Sequence, residues 1–169
     1  RAALDAFGAL LGARGALDFD DLVVRAVQLL ERDDALRERW QARFSHLCVD
    51  EFQDVDAAQL RLVRVLAEPQ RNLFVVGDDD QTIYAWRLAD VRRILGFAAA
   101  YPGARRVQLA TNYRCPPPVV VASRRLIGVN RERFEKRIAP SPGRSGEEGA
   151  VVDPHQGFGA VNLEAVVAP

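Results

Sequence analysis

Leu47-Cys48-Val49-Asp50-Glu51-Phe52-Gln53-Asp54 is an apolar run that stops abruptly in acid, and Leu73-Phe74-Val75-Val76-Gly77-Asp78-Asp79-Asp80-Gln81 repeats the pattern about one α/β unit later. A strand buried on both faces reads as a continuous apolar run, and ligands of open α/β sheets bind beyond the carboxyl ends of such strands. The two runs therefore predict buried strands that deliver carboxylates to one edge of a sheet. A third segment, Leu109-Ala110-Thr111-Asn112-Tyr113-Arg114, again runs from apolar into a polar end.

Outward from these strands the period changes to that of helices. Residues 2–43 read as helical, with Asp18 as an N-cap, Asp20 and Asp21 in the first turn, and Leu22, Val23, Ala26, Leu29 and Leu30 at helical spacing behind them. Further helices are predicted over Asp56 to Ala67, Ala89 to Tyr101 and Pro116 to Ile127, the last opened by proline as a first turn allows. Strands are predicted over His46 to Asp50, Asn72 to Gly77 and Arg105 to Ala110. Strands alternating with helices of this length give an α/β fold with a parallel sheet. The expected organisation is a helical lead-in at 1–45, an α/β core at 46–139, and a Pro/Gly/Ser linker with the start of a second domain at 140–169. The helical lead-in is expected to leave an apolar face exposed.

Composition bounds the class. With 49% apolar and 27% charged residues the 169-residue chain is a globular one, and no apolar run reaches the length of a membrane span. Twenty-three basic residues balance twenty-three acidic ones, which excludes a histone-like, purely electrostatic DNA binder but leaves room for a local basic groove. Cys48 and Cys115 lack metal-ligand spacing and read as reduced thiols. With no export signal, a cytoplasmic protein is expected. The start at Arg1 and the absence of methionine suggest an excerpt of a longer protein.

Asp50-Glu51 has the form of a Walker B strand end. Adjacent carboxylates there can divide two tasks of nucleoside triphosphate hydrolysis: Asp50 holds Mg²⁺, and Glu51 faces the attacking water. A solvated acidic loop is the plainer alternative, made less attractive by the apolar strand before the pair and by Gln53, Asp54 and Gln59 after it. The glycine loop followed by Lys and Ser/Thr that cradles phosphates is missing, since the single lysine, Lys136, stands between Glu135 and Arg137. Asp78-Asp79-Asp80 alone is a turn or a metal loop. Gln81 is more telling, because a glutamine at a strand end can hydrogen-bond a γ-phosphate or its water. Tyr84 and Trp86 follow at once, either as a stacking platform for single-stranded bases or as core aromatics. Arg114 could bring charge to a γ-phosphate and Tyr113 could stack on an adenine, although an Asn-Tyr-Arg triplet is most often an ordinary loop. A two-metal nuclease built from Asp50, Glu51, Asp54 and Asp78 would leave Gln81 and the aromatics without a task.

In order, Asp18-Phe-Asp-Asp-Leu22, Val49-Asp-Glu-Phe-Gln-Asp54 with Gln59, Val76-Gly-Asp-Asp-Asp-Gln-Thr-Ile-Tyr84 with Trp86-Arg87, and Asn112-Tyr-Arg114 resemble the UvrD/Rep-type branch of superfamily 1 DNA helicases. The resemblance implies part of a first RecA-like domain and a 3′ to 5′ helicase or translocase that uses ATP and Mg²⁺ in repair or replication. By the same resemblance Asp50 binds the metal, Glu51 is the catalytic base and Gln81 senses the γ-phosphate. Arg87 and Arg114 would lie near the phosphates, Tyr113 would flank the adenine, and Tyr84 and Trp86 would stack on DNA. The implied partners are single-stranded and 3′-tailed duplex DNA, the remainder of the helicase chain and repair proteins, with no membrane. Three departures stand out. Leu88 replaces a usual glycine and is expected to crowd the DNA path, Cys115 replaces a common serine, and the P-loop and arginine-finger motifs fall outside these residues. The segment alone is therefore not expected to hydrolyse ATP. A truncated, non-catalytic binding module is the alternative.

Overall fold

A computed structural model describes residues 2–142 and 164–167, which cluster into two compact units, Arg1–Leu47 with Asp56–Gln70, and Cys48–Val55 with Arg71–Pro169. The first unit is helical: α1 (Ala2–Ala13), α2 (Phe19–Arg32), α3 (Asp34–Gln41) and α4 (Ala57–Ala67). Its helix starts follow local chemistry. Asp18 accepts a hydrogen bond from the Asp21 N–H at 2.7 Å, and Asp33 accepts one from the Leu36 N–H at 2.9 Å, satisfying first-turn donors that have no intrahelical partner. Asp56 and Gln59 form a reciprocal capping box at the head of α4. Gln59 is thus a helix-capping residue, although the sequence placed it with the acidic motif. Val27 and Leu30 of α2 and Ala67 of α4 are buried, and the buried Gln41 side chain donates to the Val65 carbonyl at 2.6 Å. α1 buries none of its residues, and Leu4, Phe7 and Leu10 stay exposed, the uncovered apolar face expected of the lead-in.

The second unit carries the strands β1 (Leu47–Val49), β2 (Leu73–Gly77), β3 (Arg105–Gln108), β4 (Thr111–Asn112), β5 (Ala139–Pro140) and β6 (Glu164–Val167). One sheet has the order β1-β2-β6-β3, and β4 and β5 form a small parallel pair. Since β2 and β3 are each antiparallel to β6, they run in the same direction as each other. The antiparallel β6 is the departure from an all-parallel reading; Glu-Ala-Val-Val takes its partners from strands far away in the chain. The rest of the segment read as a linker and start of a second domain, residues 143–163 and 168–169, lies outside the described residues.

Leu73, Val75 and Gly77 alternate onto the buried face of β2, the period-two consequence of a pleated strand. They share the core with Phe52, Ile94, Phe97, Val120 and Ile138. Phe52 and Phe97 meet edge to face with centroids 5.5 Å apart, an arrangement that adds about 0.5–1.5 kcal/mol beyond area burial. The helix expected over 89–101 is two short pieces, α5 (Arg92–Leu95) and α6 (Phe97–Ala100). Gly96 closes the first through its N–H on the Arg92 carbonyl at 2.8 Å, and a Cβ there would stand 2.9 Å from that same oxygen. α7 (Pro117–Ile127) begins where the proline predicts.

Candidate functional site

β1 is followed by Asp50, whose Oδ1 accepts the Glu51 N–H at 2.9 Å. Glu51 then adopts φ 50° and ψ 42°, a left-handed conformation that costs a side-chain-bearing residue roughly 1–2 kcal/mol. Surrounding bonds hold it there: the Asp54 N–H donates to the Glu51 carbonyl at 2.9 Å, and Gln53 Nε2 donates to Glu51 Oε2 at 2.7 Å. Both carboxylates remain exposed. Strain that persists because neighbours over-determine it is commonest at functional positions.

Gln53 is the joint of the site. Its side chain is 1% exposed, and while Nε2 serves Glu51, Oε1 accepts the Asp78 N–H at 3.0 Å. Room for it depends on Gly77, where a Cβ would lie 2.5 Å from Gln53 Oε1 and 2.9 Å from Ile94 Cδ1. Asp78 Oδ2 in turn accepts Gln81 Nε2 at 2.8 Å. A continuous run of hydrogen bonds, Glu51–Gln53–Asp78–Gln81, therefore links the ends of the two strands that opened the sequence reading.

Asp78, Asp79 and Asp80 can bring one oxygen each within 4.8 Å of the others, but the space between them holds a cation already. Lys136 Nζ contacts all three carboxylates, the one on Asp80 at 3.1 Å, with its side chain 1% exposed. Arg133 forks onto Asp80 with bonds of 2.8 and 2.6 Å, and the Phe134 N–H donates to Asp79 Oδ2 at 2.7 Å. Burial pulls the Lys136 ammonium down, but its hydrogen bonds to Asp78 and Asp79 and their charges outweigh this and raise its pKa above the usual lysine value. The hydrogen bonds that Arg133 donates to Asp80 likewise raise its pKa, against its desolvation. The metal-loop reading of 78–80 gives way to an internal ion-pair cluster. Among the described residues Asp50, Glu51, Asp54 and Asp78 do not converge as a ligand set, and Asp78 is ion-paired with Lys136.

The aromatic pair lies on the surface. Tyr84 and Trp86 are 38% and 77% exposed, with ring centroids 6.1 Å apart and planes 63° apart, so the core reading of these residues fails. Trp86 and Arg87 sit in a single helical turn, Ala85–Arg87, that ends at Leu88 with φ 66°. Leu88 therefore occupies a left-handed position that glycine fits without strain, and its side chain is 73% exposed. Arg93 ties this turn to the loop after β1, its Nη1 donating to the carbonyls of Leu88 at 2.8 Å and Val55 at 2.9 Å.

At the third motif, buried Asn112 accepts the backbone N–H groups of Arg114 at 3.0 Å and Cys115 at 2.8 Å, the local turn that asparagine favours. Tyr113 projects outward, exposed. β5 lies three residues beyond Lys136, so the segment bearing the buried ammonium continues directly into the strand that pairs with β4. Sequence reasoning assigned no task to Gln53, Arg93, Arg133 or Lys136. The one available signal for the last was its being a lone lysine among arginines, set aside for want of a glycine loop.

Two exposed carboxylates at a strand end offer hard oxygen donors of the kind Mg²⁺ takes while keeping several waters. Asp50 would hold such an ion, leaving Glu51 for a water.

An α/β unit with Asp-Glu at one strand end, linked through Gln53 and Asp78 to a glutamine at the next, is a partial RecA-like domain. The family model for the UvrD/REP helicase N-terminal domain matches residues 1–102, and the chain belongs to that family. It is 44% identical over 128 residues to the ATP-dependent DNA helicase PcrA of Staphylococcus aureus (strain Mu50), an alignment that covers 76% of this chain and 18% of that protein. The PcrA of Staphylococcus epidermidis gives the same identity and coverage. The chain thus spans about a fifth of the length of these relatives. Among the described residues no helix is long and apolar enough to cross a membrane.

Proposed function

We propose that this chain is the water-activating and coupling part of an ATP-dependent 3′ to 5′ DNA helicase or translocase that works on single-stranded and 3′-tailed DNA in cytoplasmic repair or replication. The observation that carries this is the bonded run Glu51–Gln53–Asp78–Gln81, with Arg93 joining the same loop to the exposed Tyr84/Trp86 turn. Bound Mg²⁺ would neutralise charge on the β- and γ-phosphates, with Asp50 as its protein ligand. Glu51 orients the attacking water and takes its proton. Gln81, fixed by Asp78, presents its amide to the γ-phosphate, and Arg114 and Arg87 add positive charge. Tyr113 packs on the adenine. Tyr84 and Trp86 stack on bases, at about 1–3 kcal/mol per base.

DNA-stimulated ATP hydrolysis by the full-length protein tests this. Glu51→Gln should reduce turnover by about 10²-fold or more, the scale of a positioned general base, with ATP binding retained. Turnover within a few fold of the original would remove the base assignment. Trp86→Ala should weaken DNA stimulation and leave KM for ATP unchanged; equal loss of both would refute the stacking role.

A further inference from the structure

Of twenty-three basic residues twenty-two are arginine, yet the position buried among three carboxylates is the single lysine. We propose that Lys136 is a positioning residue for ATP hydrolysis: its ammonium holds Asp78 so that Gln53 and Gln81 stay in register, and through them Glu51. This rests on the ATPase function proposed above. Lys136 lies beyond the residues 1–102 that match the family.

Each part of Asp78 has a separate task. Its N–H is taken by Gln53, Oδ2 by Gln81, and Oδ1 by Lys136 and by the Asp80 N–H at 3.1 Å. Arg133 forks onto Asp80, whereas Asp78 and Asp79 are ion-paired with Lys136. Without the ammonium, two buried carboxylates lose the cation that contacts both and keep only the more distant charge of Arg133, and such pairs protonate or move apart. Either response alters Oδ2 of Asp78, the atom that holds the Gln81 amide. The choice of lysine follows from shape. An ammonium is a compact charge with three donors and can serve three carboxylates at once, whereas a planar guanidinium forks onto one, as Arg133 does on Asp80. The Phe134 N–H on Asp79 fixes the strap from which Lys136 reaches in.

The experiment is steady-state, DNA-stimulated ATPase of the full-length protein, comparing the unaltered chain with Glu51→Gln, Lys136→Gln and Lys136→Arg, with folding followed by circular dichroism. Lys136→Gln should lower kcat at least about tenfold, equivalent to about 1.4 kcal/mol, while KM for ATP stays within about twofold, because no group that binds the nucleotide is removed. Lys136→Arg keeps the charge but loses the three-way contact, and its kcat should fall between the two. A folded Lys136→Gln protein with kcat within twofold of the original overturns the proposal. Where Lys136→Gln does not fold, Lys136→Arg decides: a kcat equal to the original means that charge alone suffices, which also overturns it. Loss of turnover in Glu51→Gln beside normal turnover in Lys136→Gln removes only the positioning role. Normal turnover in Glu51→Gln removes the ATPase assignment and this one together.

Discussion

Gly77→Ala is the smallest change that tests whether the two strand ends act as a unit. The added Cβ would stand 2.5 Å from Gln53 Oε1, 2.9 Å from Ile94 Cδ1 and 3.2 Å from the Phe52 nitrogen, so the side chain of Gln53 must give way. Forcing one carbon into a filled core costs about 1–3 kcal/mol. Displacing Gln53 also leaves the Asp78 N–H without its acceptor in a buried site, worth about 1–3 kcal/mol, and frees Glu51. Replacing glycine within a strand returns about 0.5–1 kcal/mol of backbone entropy, for a net loss on the order of 2–4 kcal/mol. Hydrogen exchange of the β2 and Asp78 amides in the full-length protein reads this locally, without requiring two-state unfolding. In a Gln53→Ala background the same substitution should cost at least 1 kcal/mol less, since the clashing atom is gone, a coupling of the size that contacting residues show in double-mutant cycles. Strict additivity of the two substitutions would refute the packing argument, as would a loss under about 0.5 kcal/mol in the single variant.

Leu88→Gly should stabilise the aromatic turn by about 0.5–1 kcal/mol, the relief of a left-handed non-glycine residue less the entropy that glycine adds to the unfolded chain; Leu88→Ala should give none of this, and protection of the Leu88 amide from exchange distinguishes them. The raised Lys136 contributes stability that is fully present below its ordinary pKa of 10.5 and is lost as pH rises through its higher folded value, so exchange protection of residues 133–138 should hold to about pH 10 and decline above it, a decline absent in Lys136→Gln. Arg93→Ala removes the bridge between the Leu88 and Val55 carbonyls and should reduce DNA stimulation of ATPase by about 5- to 150-fold, the usual range of a coupling free energy, with basal hydrolysis unchanged; undiminished stimulation would exclude Arg93 as the connection.

What the sequence made legible were the parts governed by local rules. Asp18 was readable as a helix cap because a short acceptor before an apolar helical period has one good use, and the structure shows Asp33 and Asp56 obeying the same rule. β2 was readable because its alternation sits on a continuous apolar run that ends in acid. The helix expected over 89–101 divides because Gly96 caps the first piece, a choice made by one backbone approach that periodicity does not register. The capping role of Gln59 was not legible, because a capping glutamine and a motif glutamine look alike in one dimension. Lys136 was illegible for a different reason: its partners lie 56 to 58 residues away, and no spacing rule connects a lone lysine to a carboxylate run at that separation. The aromatics needed the structure too, since Tyr84 and Trp86 at that spacing suit a core and a surface equally well.

The loop after β1 has two hydrogen-bonded outputs, and this bears on how hydrolysis and DNA contact could be linked. Gln53 leads to Asp78 and Gln81, and the Val55 carbonyl leads through Arg93 to Leu88 beside Trp86. Both depart within four residues of Glu51, whose backbone is already in a costly conformation. A shift of about 1 Å at this loop would stretch bonds of 2.7 to 3.0 Å beyond useful hydrogen-bond length. Leaving the buried Asp78 N–H unpaired costs about 1–3 kcal/mol, so the lower-energy response is for Gln81 to move with Glu51. The Arg93 guanidinium is more exposed and water can replace its partners, which makes that link the weaker of the two. Gln81 should therefore follow the loop closely and the aromatic turn more loosely, so that exchange rates at Asp78 change together with those at Glu51 while those at Leu88 respond less.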